Sequence, residues 1–285
     1  MTLVRFLVAL LNRLPERPAR SLGRLAGSLA YLFGARRSVA LRNLSFAFPD
    51  RREKERRAIA KANYRHLGEG IVEFLRAAKL SDEEVLRRVR VDGWETYENL
   101  KAEGRGVIVA TAHLGNFELL IDYCLRRGVK LSAITRRLPG SLAAFWLSRR
   151  QATGLRELPT RGSTGELLRE LRAGGTLAII IDQNMRPKRA VFAPFFGKLA
   201  ATTPAPAVLA RRTGAPVILA VMVREPDGIH RLIVQGPIRT AKAETNAAFM
   251  ARLNGLLEKQ IRAHPEQWYW VHRRWKTRPP DEQLA

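Results

Sequence analysis

The 285-residue chain carries 50 Lys and Arg against 26 Asp and Glu, a formal net charge of +24, with 46% hydrophobic residues. That length and apolar content suit one sizeable domain with additions or two small ones, and the charge calls for an anionic partner: nucleic acid, lipid headgroups or an acidic protein. A single cysteine, Cys124, excludes an internal disulfide framework and reads as a small core residue, and no Cys-x-x-Cys or His-x-x-x-His spacing offers a metal site.

At the N-terminus, Phe6 to Leu11 is an unbroken apolar run flanked by Arg5 and Arg13. It is far short of the roughly 20 residues that span a bilayer and lacks a signal-cleavage pattern. A second apolar stretch, Ser21 to Phe33, holds Arg24 inside it and is followed by Arg36 and Arg37. These segments read either as short helices lying in a membrane interface with basic flanks or as helices packed on the protein's own core. Residues 1–49 are therefore set apart as a membrane-associating helical segment and 50–285 as the main domain. After the aromatic break at Asn43 to Pro49, helical spacing returns at Ile59, Tyr64, Leu67, Ile71, Phe74 and Leu75, and Ser81 with Glu84 forms a capping box. To this point the chain reads as all helical.

From Gly106 the signals alternate. Val107 to Ala112, Leu131 to Thr135, Thr176 to Ile181, Val217 to Val223 and Leu232 to Val234 read as strands. Phe117 to Arg127, Leu142 to Gln151, Glu166 to Ala173, Pro206 to Arg212 and Thr245 to Ala263 read as helices, several closed by glycine (Gly128, Gly174, Gly214). The alternation predicts an α/β fold with a mostly parallel central sheet flanked by helices, whose sites gather at the carboxyl ends of the strands. The tail, HPEQWYWVHRRWKTRPP, offers three Trp and several basic residues, either as a face for headgroups or stacked bases or as core packing.

The stretch GVIVATAHLGNFELL (Gly106 to Leu120) reads as strand, turn and helix. On one continuous helix His113 and Glu118 would lie about 140° apart. If Asn116 caps a helix that starts after it, His113 falls on the turn and Glu118 in the first helical turn, from which its carboxylate can reach back to the imidazole and leave the other nitrogen as a general base. Three further features accompany it: Arg136 and Arg137 after a strand, Arg149 and Arg150 at a helix end, and Asp182-Gln183-Asn184 closing an aliphatic strand.

Together, RNLSFAFP, AHLGNFE, DQN, VFAPFFGKLAAT, LARRTGAPVI and HPEQWYWVHRRWK resemble, in order, the blocks of the bacterial lipid A biosynthesis acyltransferases of the lysophospholipid acyltransferase superfamily, from about Leu22 to Arg278. The resemblance implies an acyltransferase fold without a cofactor, with His113 and Glu118 as the catalytic pair, Arg150 or Arg149 assisting the reacting carbonyl, and Asp182 as a nearby acid. Asn116, Arg136, Arg137, Gln183 and Asn184 would bind substrate, and Phe195, Phe196, Gly197 and Thr202 would line the acceptor or acyl site. It further implies acyl carrier protein or acyl-CoA as donor, an anionic glycolipid acceptor and a place on the cytoplasmic face of the bacterial inner membrane. An acyl-CoA-dependent enzyme acting on a phosphatidylinositol mannoside and, from another class, a basic nucleic-acid-binding protein are the competing readings. Two departures stand out: the N-terminal apolar segment is weak for a membrane span, and Phe117 stands where Trp is common.

Overall fold

The computed structural model describes residues 2–135, 141–160 and 162–279. Helices α1 (Thr2–Arg13), α2 (Glu16–Leu32), α3 (Arg37–Ala47), α4 (Glu53–Arg76) and α5 (Asp82–Arg87) come first. They are followed by β1 (Val89–Asp92), α6 (Trp94–Ala102), β2 (Val107–Thr111), α7 (Phe117–Arg126), β3 (Leu131–Thr135), α8 (Ser141–Ala152), β4 (Arg156–Pro159), α9 (Thr164–Arg172) and β5 (Thr176–Ile180). The hairpin β6 (Val191–Phe195) and β7 (Lys198–Thr202), α10 (Ala205–Thr213), β8 (Val217–Arg224), β9 (His230–Ile238) and α11 (Asn246–Ala263) complete the order.

Seven strands form one sheet in the order β1-β9-β8-β2-β5-β3-β4, parallel except for the β8–β9 pair. Its middle strand is β2, which explains why that strand is buried along its whole length and reads as an aliphatic run. Alternation distributes the side chains to two helical layers. Ile108 and Ala110 of β2, with Val217 and Leu219 of β8, join Leu44, Ile59 and Tyr64 from α3 and α4 and Phe249, Leu253 and Leu257 from α11. Val107, Val109, Ile218 and Ala220 face Val85, Tyr97, Leu119, Leu120 and Tyr123 from α5, α6 and α7.

Several expected local signals are present. Ser81 Oγ accepts from the Glu84 N–H at 3.1 Å while Glu84 Oε2 accepts from the Ser81 N–H at 2.8 Å, closing the capping box. Gly128, Gly174 and Gly214 all take positive φ after helix ends. The expectation of an all-helical chain before Gly106 fails at β1, which pairs in parallel with β9 at the sheet edge. Its four residues, Val-Arg-Val-Asp, alternate between half-buried and exposed, and charges on the outer face suit an edge strand. The β6–β7 hairpin turns through Phe196 and Gly197, both at positive φ, as a two-residue turn of the primed kind requires.

The N-terminal helices pack on the body. Along α2, Ala19, Gly23 and Gly27 are buried against α4. The contact needs glycine because a Cβ on Gly23 would lie 2.6 Å from the Gly68 carbonyl oxygen and one on Gly27 would overlap the Tyr64 carbonyl. On the same helix Leu22, Leu25, Leu29 and Leu32, with the following Phe33, remain exposed. Among the described residues no helix is long and apolar enough to cross a membrane. Within 1–49, Ala40, Leu44, Ala47 and Phe48 belong to the main core.

Gly23→Val should separate α2 from α4, since backbone rather than a flexible side chain blocks the new atoms. The expected cost is about 3 kcal/mol, read as a lower urea midpoint with new protease cleavage in α2. An unchanged midpoint would refute this account of the helix contact.

Candidate active site

The parallel register of the two central strands builds the site. Thr111 of β2 pairs with Ile180 of β5, and the Ile181 N–H donates to the Thr111 carbonyl at 3.0 Å. Two residues further along each strand stand His113 and Asp182. The Asp182 carboxyl is 3% exposed. Its Oδ1 lies 2.9 Å from His113 Nδ1, and its Oδ2 accepts from the His113 backbone N–H at 2.9 Å and from Trp268 Nε1 at 2.8 Å. Burial pushes this acid up, but the His113 ring beside it and these hydrogen bonds together bring it below the ordinary carboxylate range. An ionised carboxylate can only accept, so Nδ1 carries a proton, and in the neutral ring that tautomer leaves the lone pair on Nε2. Gln183 Nε2 is 3.3 Å from that free nitrogen. The ring is also flanked by Phe117, edge-on at 4.9 Å, and Tyr269 at 5.6 Å.

The turn that presents His113 is held on both sides. The Gly115 N–H donates to the Gln267 carbonyl at 3.0 Å, the Asn116 N–H to the Met222 carbonyl at 2.8 Å, and the Tyr269 N–H to the His113 carbonyl at 3.0 Å. Gly115 has φ +64°, and a Cβ there would overlap the Met222 carbonyl, so β8 can approach only a glycine. Asn116 caps α7 as expected: its Oδ1 accepts from the Leu119 N–H at 3.0 Å.

Glu118 is not the group on the imidazole. Its carboxylate turns to α8, where it accepts from Trp146 Nε1 at 2.7 Å and from Arg150 Nε at 3.1 Å, with Arg150 NH2 on its other oxygen. The reason is positional: with α7 starting after Asn116, Glu118 points away from the strand end, while Asp182 already occupies the Nδ1 side of the ring. Arg150 also lies 3.7 Å from Glu157. Burial alone would lower its pKa, but the two carboxylates raise it, so it stays charged. Its donors are thereby committed to carboxylates rather than open to a carbonyl.

The remaining expected residues divide. Asn184 ties the turn after β5 to the C-terminal segment: its N–H donates to His272 Nε2 at 2.9 Å, and its side chain exchanges two 3.0 Å hydrogen bonds with Thr277. Phe195, Phe196 and Thr202 are buried rather than lining a surface. The ring of Phe195 lies 5.5 Å from Trp268, directly behind Asp182, and Thr202 Oγ1 accepts from Arg274 at 2.6 Å. Gly197 is exposed at the hairpin turn. Arg136, Arg137 and the side chain of Arg149 lie outside the described residues. The reading of the tail as a face for headgroups or bases is overturned, because Trp268, Trp270 and Trp275 are all buried. Asn43 and Asn63 from α3 and α4 donate to the Trp270 and Trp268 carbonyls at 2.7 and 2.6 Å, drawing the aromatic segment inward. Sequence reasoning missed Trp268, Tyr269 and His272 as site-supporting residues, although all three lie in the quoted tail block.

A second polar cluster lies behind the turn. Glu73 of α4 accepts from Arg224 and from Asn116 Nδ2, with His230 Nε2 at 3.5 Å. Burial pushes Glu73 up, but Arg224 and His230 outweigh it and hold the carboxyl well below its usual range. His66, 8% exposed, is pushed down from 6.5 to about 4, first by burial and then by the charge of Arg224.

The bacterial lipid A biosynthesis acyltransferase family model matches residues 1–277. Similar relatives include the lipid A biosynthesis palmitoleoyltransferase of Escherichia coli K12, 31% identical over 267 residues that cover 92% of this chain and 86% of the relative. The lipid A biosynthesis lauroyltransferase of the same organism is 31% identical over 278 residues, covering 95% and 89%. Among solved structures, the 1-acyl-sn-glycerophosphate acyltransferase of Thermotoga maritima aligns with a TM-score of 0.40 at 16% identity, over 87% of this chain and 99% of that one.

Stability should fall as pH drops below 6.5. In that window the unfolded chain protonates His66 while the folded chain, at about 4, does not, so unfolding takes up a proton. At pH 5 this costs about 2 kcal/mol relative to pH 7. Asp182 and Glu73 add to the loss at lower pH, where their depressed carboxyls protonate more readily in the unfolded chain. Urea midpoints measured from pH 7 to 4 should show the fall, with a smaller drop to pH 5 in His66→Gln; equal wild-type midpoints at pH 7 and 5 would contradict it.

Proposed function

Because the chain belongs to the bacterial lipid A biosynthesis acyltransferase family and is on that ground an acyltransferase, we propose that it moves a fatty acyl chain from a thioester of acyl carrier protein to a hydroxyl of a lipid A precursor at the cytoplasmic face of the inner membrane. The observation that carries the chemistry is the His113 ring held by the buried Asp182 carboxylate through Nδ1, with Nε2 turned out of the strand end.

His113 Nε2 takes the proton of the acceptor hydroxyl as its oxygen attacks the thioester carbonyl. Asp182 balances the imidazolium that forms. The oxyanion of the tetrahedral intermediate is met by the backbone N–H groups of Phe117 and Glu118 in the first turn of α7, which have no intrahelical acceptor; such a donor contributes about 3 kcal/mol. When the carbonyl reforms, the C–S bond breaks. The departing thiolate, from a thiol of pKa about 8.5, needs little help and can take up the proton from His113. No acyl-enzyme forms, in keeping with a Cys124 thiol that burial pushes up to about 12. Glu118 holds Arg150 and α8 beside the site. The net charge of +24 suits both an acidic donor protein and a phosphorylated acceptor.

The exposed stripe of α2 supports the membrane assignment. Leu25, Leu29 and Leu32 stand 56%, 42% and 68% exposed and Phe33 82%, opposite the glycine face that packs on α4. Arg24 lies within the stripe's length and Arg36 and Arg37 follow it, as an interfacial helix requires.

Incubation with Kdo-modified lipid A precursor and matched acyl carrier protein and CoA thioesters, read by mass spectrometry, tests the reaction; transfer from CoA alone, or none from any thioester, would refute the proposal. His113→Ala should lower kcat at least a thousandfold, and Asp182→Asn about a thousandfold or more. Glu118→Gln leaves Asp182 on the ring and should lose about tenfold to a hundredfold. Near wild-type turnover in Asp182→Asn would exclude the assigned dyad. Replacing Leu25, Leu29 and Phe33 together with Ser should weaken binding to anionic vesicles at least about tenfold, and unchanged sedimentation would rule out α2 as the membrane contact.

A further inference from the structure

Glu73 and Arg224 form a buried ion pair in a chain that carries 50 Lys and Arg against 26 Asp and Glu. Arg224 NH2 donates to Glu73 Oε2 at 2.7 Å and its NH1 bonds the other oxygen. Removing two charges from water commonly costs as much as their attraction returns, so such a pair is weak evidence for stability and better evidence for position. What it positions is legible in its third partner. The same Oε2 accepts from Asn116 Nδ2 at 2.8 Å.

Asn116 is 6% exposed, so its amide cannot turn to water. A carboxylate only accepts, which obliges Nδ2 to face Glu73 and directs Oδ1 to the Leu119 N–H, 3.0 Å away. Only Leu114 and Gly115 separate this cap from His113, and the Phe117 ring that follows it touches the imidazole. Arg20 of α2 enters the same cluster, 2.6 Å from Glu69 and 3.6 Å from Glu73. The helix with the exposed apolar stripe is thus joined to the catalytic turn by a short run of charge-assisted bonds.

We propose that Glu73 is a positioning residue for acyl transfer: its carboxylate fixes the Asn116 amide, Asn116 fixes the first turn of α7, and that turn holds His113 and the backbone donors in register. This rests on the acyl-transfer reading for its kinetic consequence only.

The test uses the full chain with the ion pair replaced by apolar residues, Glu73→Leu with Arg224→Met, so that no unpaired guanidinium is left buried. Circular dichroism should report a native fold. Acyl transfer should show kcat at least tenfold lower with KM within twofold, and hydrogen exchange at Leu119 and Leu120, whose N–H groups donate to Asn116, at least tenfold faster. Two rescues follow from the route. Glu73→Gln with Arg224→Met keeps an acceptor for Asn116 Nδ2 and should return both readouts to within threefold of wild type. Adding Asn116→Ser to the apolar pair, a hydroxyl cap that needs no orientation, should do the same. Wild-type exchange and kcat in the apolar pair would overturn the proposal, as would losses that neither rescue repairs. If the apolar pair does not fold, single Asn116→Ser and Asn116→Ala chains decide it, with Ala expected to show the loss and Ser not, and equal behaviour overturning it. An inactive wild type would count against the acyl-transfer reading, while the exchange rates would still decide the role of Glu73.

Discussion

One buried carboxylate holds three distant parts of the chain together. Asp182 stands just past β5, receives the ring and backbone of the residue just past β2, and is capped by an indole from the segment after α11. Each of those bonds satisfies an oxygen that could not otherwise be dehydrated. The arrangement is therefore structural and chemical at once: the same contacts that make the acid tolerable in the core fix the tautomer of the imidazole. The central position of β2 in the sheet and the equal lengths of β2 and β5 make this meeting a matter of register rather than of loop conformation.

Much of the architecture is readable in the residues. The parallel core strands are aliphatic runs, and glycines after α7, α9 and α10 mark helix ends, so Leu131–Thr135 is read to the residue and the strands from Val107, Thr176 and Val217 to within one. Reading fails where the deciding partner is remote. The charged β1 looks like helix until β9 is beside it. The tail's tryptophans have the same composition whether they face headgroups or a core, and only the asparagines of α3 and α4 draw them inward. Glu118, five residues from His113, suggests itself as the orienting acid; Asp182, 69 residues away, has that place because of strand pairing. Glu73 carries no sequence signal at all beyond a polar position on a helix, and its meaning comes from Arg224 and Asn116.

The aromatic layer behind Asp182 shows how packing can override local preference. Phe196 takes φ 52° in a two-residue turn where Asn or Gly would be easier. Its ring meets Phe48, Phe195 and Trp270, and the Arg262 guanidinium lies 4.7 Å above it. Arg274 completes the layer beneath Phe195, and burial lowers it to about 10, with the Asp182 charge opposing the shift. It remains a cation at neutral pH, one more reason for the acid in front of it to stay ionised.

The segment from Gln267 to Thr277 supplies much of the hydrogen bonding at the ends of β2 and β5: the Gln267 carbonyl to Gly115, the Tyr269 N–H to His113, the Trp268 indole to Asp182, and His272 with Thr277 to Asn184. The two strands already set where His113 meets Asp182, and the segment adds its bonds from one side. The Trp268 indole on Asp182 Oδ2 and the Tyr269 N–H on the His113 carbonyl occupy positions that water would otherwise take. Register thus decides that the pair exists, and the C-terminal segment decides how dry it is.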